Sequence, residues 1–156
     1  MSSLPLPRER AESLVRRYTG IATATGAAPV PGASWAVIAE NTAMVNNVAS
    51  AMGVPVSVGT IVSSFGLVGT VNFFGKNLFI EGARLLGWGA GPLGIAPVMA
   101  LGASTAGAQT WILGQLTIAI CENGGNPLPS KKARVVMDDA AAAYEEVTEE
   151  TPDPVY

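Results

Sequence analysis

The chain has 156 residues, enough for one domain with a real core and too few for a second large one. Only 13% of residues are charged and 49% are hydrophobic, against about 25% charged in ordinary soluble domains. A net charge of −3, with nine basic residues dispersed along the chain, argues against a nucleic-acid partner. The absence of His removes the commonest general base and metal ligand together, and the single Cys121 rules out an intrachain disulfide.

The charges are unevenly placed. Six lie in residues 1–17 and eleven in residues 122–156, which leaves Glu40, Lys76, Glu81 and Arg84 for the whole centre. They divide it into uncharged runs at 18–39, 41–75 and 85–121. The pattern predicts three regions: a charged amphipathic helix start over 1–17, an apolar helical core over 18–129, and a C-terminal amphipathic helix with an acidic tail over 130–156. The two longer uncharged runs exceed the ~20 apolar residues that a membrane-crossing helix needs. Both are rich in Gly, Ala, Ser and Thr, so insertion would be marginal. The same composition also suits a core of closely packed helices.

In chain order, Ala11, Leu14, Val15, Tyr18, Ile21 and Ala22 fall at helical spacing and predict an amphipathic helix over 8–22. Gly26 and the turn at 29–32 end it. The pair Arg16 and Arg17 raises a twin-arginine export signal, but Tyr18, Thr19 and Gly20 follow where an apolar pair is needed, and no small-residue cleavage site comes after. Ser34 is the expected N-cap of a second helix running to Met52, and the break at 53–55 leads to a third over 57–74. That third segment is β-branched, yet helix is preferred because an isolated hairpin would have no sheet to join. A short polar helix at 76–86 and a glycine loop at 87–94, with Gly91, Pro92 and Gly94 as a hinge, precede the longest helix, 95–122. Pro97 belongs in its first turn, and 123–126 supplies its stop.

Within the long helix Gly102, Ala106, Thr110 and Gly114 recur every four residues, forming a ridge of small side chains that lets another helix approach closely. The last helix, 131–147, presents Ala133, Val136, Met137, Ala140, Tyr144 and Val147 on one face. Its charges oppose the helix dipole, with Lys131, Lys132 and Arg134 at the start and Glu145, Glu146 and Glu149 near the end. The basic trio is a candidate contact for anionic lipid headgroups.

Two motifs suggest phosphate chemistry and fail on context. Gly89, Gly91 and Gly94 match the G-x-G-x-x-G spacing of dinucleotide folds, but the preceding residues read as helix and the next acid, Glu122, comes too late for the ribose. The stretch 69–77 is similar to a phosphate loop, with one residue too many between glycines and Asn77 where a magnesium-binding Ser or Thr belongs. No cofactor, metal or catalytic residue is expected.

Three stretches, AAPVPGAS at 27–34, MVNNVASAMGV at 44–54 and ASTAGAQTWILGQLTIAICENGG at 103–125, resemble the helical domain of unknown function number 697, found alone or attached to bacterial GTPase domains. Over residues 19–125 the resemblance implies an all-helical membrane-associated domain with a GTPase as partner and no catalytic residues. A basic residue usual near the Met helix of that family is absent, and Asn46 and Asn47 occupy its region. The expected protein is therefore an all-α bundle: a non-enzymatic, cytoplasmic-membrane-associated homo-oligomer that acts by packing and partner binding. One alternative is a pore-forming or holin-like protein with spans at 57–75 and 95–121. The other is a soluble self-assembling scaffold or shell component.

Overall fold

The structure, a computed structural model, describes residues 6–30, 32–57, 59–64, 66, 75–77, 80–83 and 92–150. All regular structure among these is helical. Four long helices carry the fold: α1 Pro7–Ala27, α2 Ala33–Met52, α3 Pro92–Glu122 and α4 Ser130–Glu150. Residues 59–64, 75–77 and 80–83 are also helical.

Local chemistry sets the boundaries. Pro7 stands in the first turn of α1, where a missing N–H costs nothing, and the Glu9 carboxylate accepts the Leu6 N–H at 3.1 Å. The N-cap of α2 is Gly32, not Ser34: Gly32 has φ 89°, a left-handed conformation open to glycine, and Ser34 is already inside the helix and buried. Gly53, at φ 69°, ends α2 and lets the Val54 N–H return to the Ala49 carbonyl at 3.1 Å. The turn at 123–126 closes α3 in the same way, with the Gly125 N–H bonded to the Ile120 carbonyl at 2.9 Å.

α1 runs antiparallel to α3. As α1 advances from Arg8 through Val15 to Gly26, its partners on α3 retreat from Glu122 through Gly114 to Gly102. α2 folds back antiparallel to α1, with Thr25 bonded to Glu40 and Tyr18 to Asn47. α4 returns along α3, with the Trp111 indole N–H donating to the Ala140 carbonyl at 3.1 Å and the Tyr144 ring tilted against Trp111 at 6.4 Å. The centre of the bundle is therefore α3, which touches all three other helices. Leu113, Leu116, Thr117, Ile118, Ile120 and Cys121 are all buried, and Trp111, Ile112, Gln115 and Ala119 on the remaining side are half-buried, so most of the circumference of its C-terminal half is covered. A helix apolar around its whole circumference needs such an enclosure, and here neighbouring helices supply it. Each large aliphatic side chain enclosed this way contributes about 1.5–3 kcal/mol.

Glycines set how closely α1 and α3 approach. A Cβ on Gly26 would sit 2.6 Å from the Ala106 Cβ and 2.9 Å from the Gly102 carbonyl carbon, and one on Gly114 would sit 2.5 Å from a Val15 methyl. Real Cβ atoms do not tolerate such distances, so these backbones meet only because no side chain intervenes.

Several expectations change. No helix among the described residues is long and apolar enough to cross a membrane, so a membrane-inserting form of the expected fold is not supported. Most of the expected first span, 57–75, lies outside the described residues, as does Gly91. Pro92 and Gly94, expected in the glycine loop, belong to the first turn of α3, which begins earlier than expected because proline is well suited to a helix start. Pro97 consequently falls inside the helix, where it withholds an N–H from the Leu93 carbonyl at an exposed position. Ile21 and Val147 are exposed instead of facing the core, because the contact stripe of α1 runs through Ala11, Val15, Ala22 and Gly26, while Ala133, Ala140 and Tyr144 carry that of α4.

The close approach is testable against a glycine with room around it. Gly26→Ala should lower unfolding free energy by about 1–3 kcal/mol in urea denaturation. Gly20→Ala, with nothing within 4 Å in mid-helix, should raise it by about 0.5–1 kcal/mol. Equal effects of the two substitutions would contradict the packing.

Candidate functional site

The chemistry-bearing side chains of the centre converge on a polar seam between the helices. Thr110 on α3 is fully buried and donates to the Asn41 Oδ1 on α2 at 2.6 Å. Its neighbour Gln109 accepts a bond from the Asn77 side chain at 3.2 Å. At the residue before Asn41, the Thr25 hydroxyl of α1 donates to Glu40 Oε1 of α2 at 2.7 Å. The Asn41 Nδ2, Gln109 Nε2 and Glu40 Oε2 atoms are buried without a hydrogen-bond partner among the described residues. This seam fixes which rotation of each helix faces its neighbour, since turning either would strand a buried polar atom.

Glu81 has the most specific role. Its carboxylate accepts the Gly32 N–H at 2.8 Å on one oxygen and the Ser34 N–H at 2.7 Å on the other. Gly32 has no side chain with which to cap α2, so the cap comes from 49 residues away. An anion at this point also meets the positive end of the helix dipole. Sequence reasoning missed this contact; the one available signal was an isolated acid in an otherwise uncharged centre.

The small-residue ridge faces two helices of its own chain. Gly102 and Ala106 meet Gly26, Gly114 meets Val15, and Thr110 turns toward Asn41. Gly107, beside the ridge, abuts the Tyr144 hydroxyl of α4 and the Thr23 hydroxyl of α1. Lys131, Lys132 and Arg134 are exposed at the start of α4, and no ion pair joins them among the described residues. The phosphate-loop candidate ends in helical residues 75–77, where Asn77 is buried and bonded to Gln109. Gly89 and Gly91 of the dinucleotide motif lie outside the described residues, and Gly94 is helical.

Cys121 is buried, and burial, aided by the adjacent Glu122 charge, pushes its thiol above the ordinary value. It stays protonated and is a poor nucleophile. An open depression of about 430 Å³ at the end of α2, lined by Asn46, Ser50, Pro55 and neighbours, contains no ionisable group.

The opposite pole of the bundle has a different character. Where α1 ends and α2 begins, Val30 and Trp35 are each 57% exposed, and Leu101 on α3, beside the Gly26 contact, is 42% exposed. Ala36, Pro97 and Ala100 are also exposed there. No charged residue occurs in 18–39 or in 85–121, so the exposed residues of these stretches form an apolar patch, bordered by Glu81 at the start of α2 and by Glu145 and Glu146, which follow Tyr144 toward this end of α4. The basic trio lies far from it: α3 from Leu101 to Glu122 covers roughly 30 Å at 1.5 Å per residue.

No family profile, curated protein or solved structure matches the chain. The likeness to the domain 697 family, and the GTPase partner it implies, therefore rest on the three sequence stretches alone.

The seam is tested by a double-mutant cycle. Thr110→Val leaves the Asn41 Oδ1 without its donor and should cost about 1–3 kcal/mol in urea denaturation. Adding Asn41→Leu should recover part of that loss, giving a coupling energy above about 0.5 kcal/mol. Simple additivity would show that the two residues do not act together.

Proposed function

We propose that this protein is a non-enzymatic helical module that attaches peripherally to a membrane surface through the apolar patch at the Trp35 end and works there by binding partners. The observation that carries this reading is the coincidence, at one pole, of exposed Trp35, Val30 and Leu101 with two long stretches free of charge. Tryptophan favours the bilayer interface, where its ring is buried and its N–H stays hydrated. Shallow insertion of such an end needs no spanning helix, which agrees with the lack of one among the described residues.

The non-enzymatic reading draws on how the ionisable and polar groups are used. Glu81 caps a helix, Glu40 receives Thr25, and Cys121 is enclosed with its proton. These groups are engaged in holding helices together. The basic trio lies at the other end of α4, away from the apolar patch, so attachment through that patch does not use headgroup contact by Lys131, Lys132 and Arg134.

Vesicles containing brominated acyl chains test it. The protein should co-sediment with neutral vesicles at both low and high salt, and bromine should quench its fluorescence. Trp35→Ser together with Leu101→Ser should reduce binding at least tenfold with an unchanged far-ultraviolet spectrum. Protein left in the supernatant without quenching would refute membrane attachment, and a soluble particle of very high mass would point instead to the scaffold reading.

A further inference from the structure

We infer that the outer face of α4 is a self-complementary surface on which a second copy of this chain docks antiparallel. α4 packs only on α3 among the long helices, through Ala133, Ala140 and Tyr144, and leaves its opposite face open. On that face Lys131, Lys132 and Arg134 come first, Asp138 and Asp139 follow, and Glu145 and Glu146 come last, all exposed. Arg134 and Asp138 are spaced for an i,i+4 pair, yet the only ion pairs among the described residues are those of Arg8 with Glu12 and Glu122.

This ordering is unfavourable within one helix. Cations sit at the positive end of the dipole and anions near the negative end. An antiparallel second α4 removes the conflict, because its acids come to lie beside the first copy's bases and the reverse, while the two dipoles oppose each other. Two-fold symmetry makes every such contact occur twice. In the register that sets Arg134 across from Glu146 of the second copy, Asp138 lies across from Ala142 of that copy, so the central carboxylates do not face one another. Val135, 54% exposed in the isolated chain, and Ala142 supply the apolar part of the contact.

A second copy is favoured over another partner because the face carries both charge signs in an order that reverses onto itself. One helix face gives a small interface, so the dimer is weak and held largely by charge, and salt must dissolve it. The ridge containing Gly102 and Gly114 is excluded as the dimer surface because Gly26 and Val15 of the same chain already occupy it.

Sedimentation equilibrium without lipid, at tens of micromolar protein, tests the inference independently of membrane attachment. A monomer–dimer equilibrium should appear at 20 mM salt and shift at least tenfold toward monomer at 500 mM. Glu145→Lys with Glu146→Lys should be monomeric at low salt, as should Lys131→Glu with Lys132→Glu and Arg134→Glu. Mixing these two variants should restore a dimer, a rescue that loss of folding could not produce. A wild-type chain that is monomeric at 20 mM salt, or a dimer that survives both high salt and the charge swaps, would overturn it.

Discussion

The structure depends on the enclosure of α3. This helix has no charge over its length until Glu122, and its C-terminal half has no face that water can solvate well, so it must be surrounded. α1 does most of the surrounding. It approaches so closely that Gly26 rests on the Gly102 backbone, and it can do so because glycine and alanine occupy the contact positions on both helices. α2 and α4 complete the enclosure from other sides, and α1 and α4 both reach Gly107. A sequence that reads as lipid-facing by its hydropathy is, over this half, protein-facing.

Enclosure is incomplete at one pole. From Ala96 to Leu101 the central helix extends past the tightest contacts, and apolar residues of the α1–α2 turn accompany it. This asymmetry separates the two jobs of the apolar centre: residues beyond Gly102 make the core, while those before it leave an exposed apolar patch. The acids nearby, Glu81 and Glu40, accept hydrogen bonds from backbone and hydroxyl donors of the bundle.

The sequence made the helices legible and their neighbours much less so. Periodicity located α1 and α4 because apolar spacing near 3.6 is imposed by burial of one face, whereas α2 and α3 were bounded by turn residues, with glycine at 53 and 124–125 marking their stops. Starts were harder. Ser34 has the right chemistry for a cap, but the capping group came from Glu81, a contact between residues distant in sequence that no local rule reports. Pro92 reads equally as a turn or as the first residue of a helix, and only the packing of α3 decides. The four-residue ridge foretold close contact without naming the partner, since the same small residues serve α1 of this chain or a helix of another. Composition alone could not distinguish a bilayer from three neighbouring helices, because both provide a dry, apolar surrounding.

Hydrogen exchange along α3 in aqueous buffer, without lipid or detergent, tests that enclosure most directly. Amides of residues 111–121 should exchange most slowly in the protein, with free energies of opening near that of global unfolding, while residues 98–102 exchange faster. Uniformly rapid exchange along α3 in buffer, with protection appearing only on addition of lipid, would contradict the account.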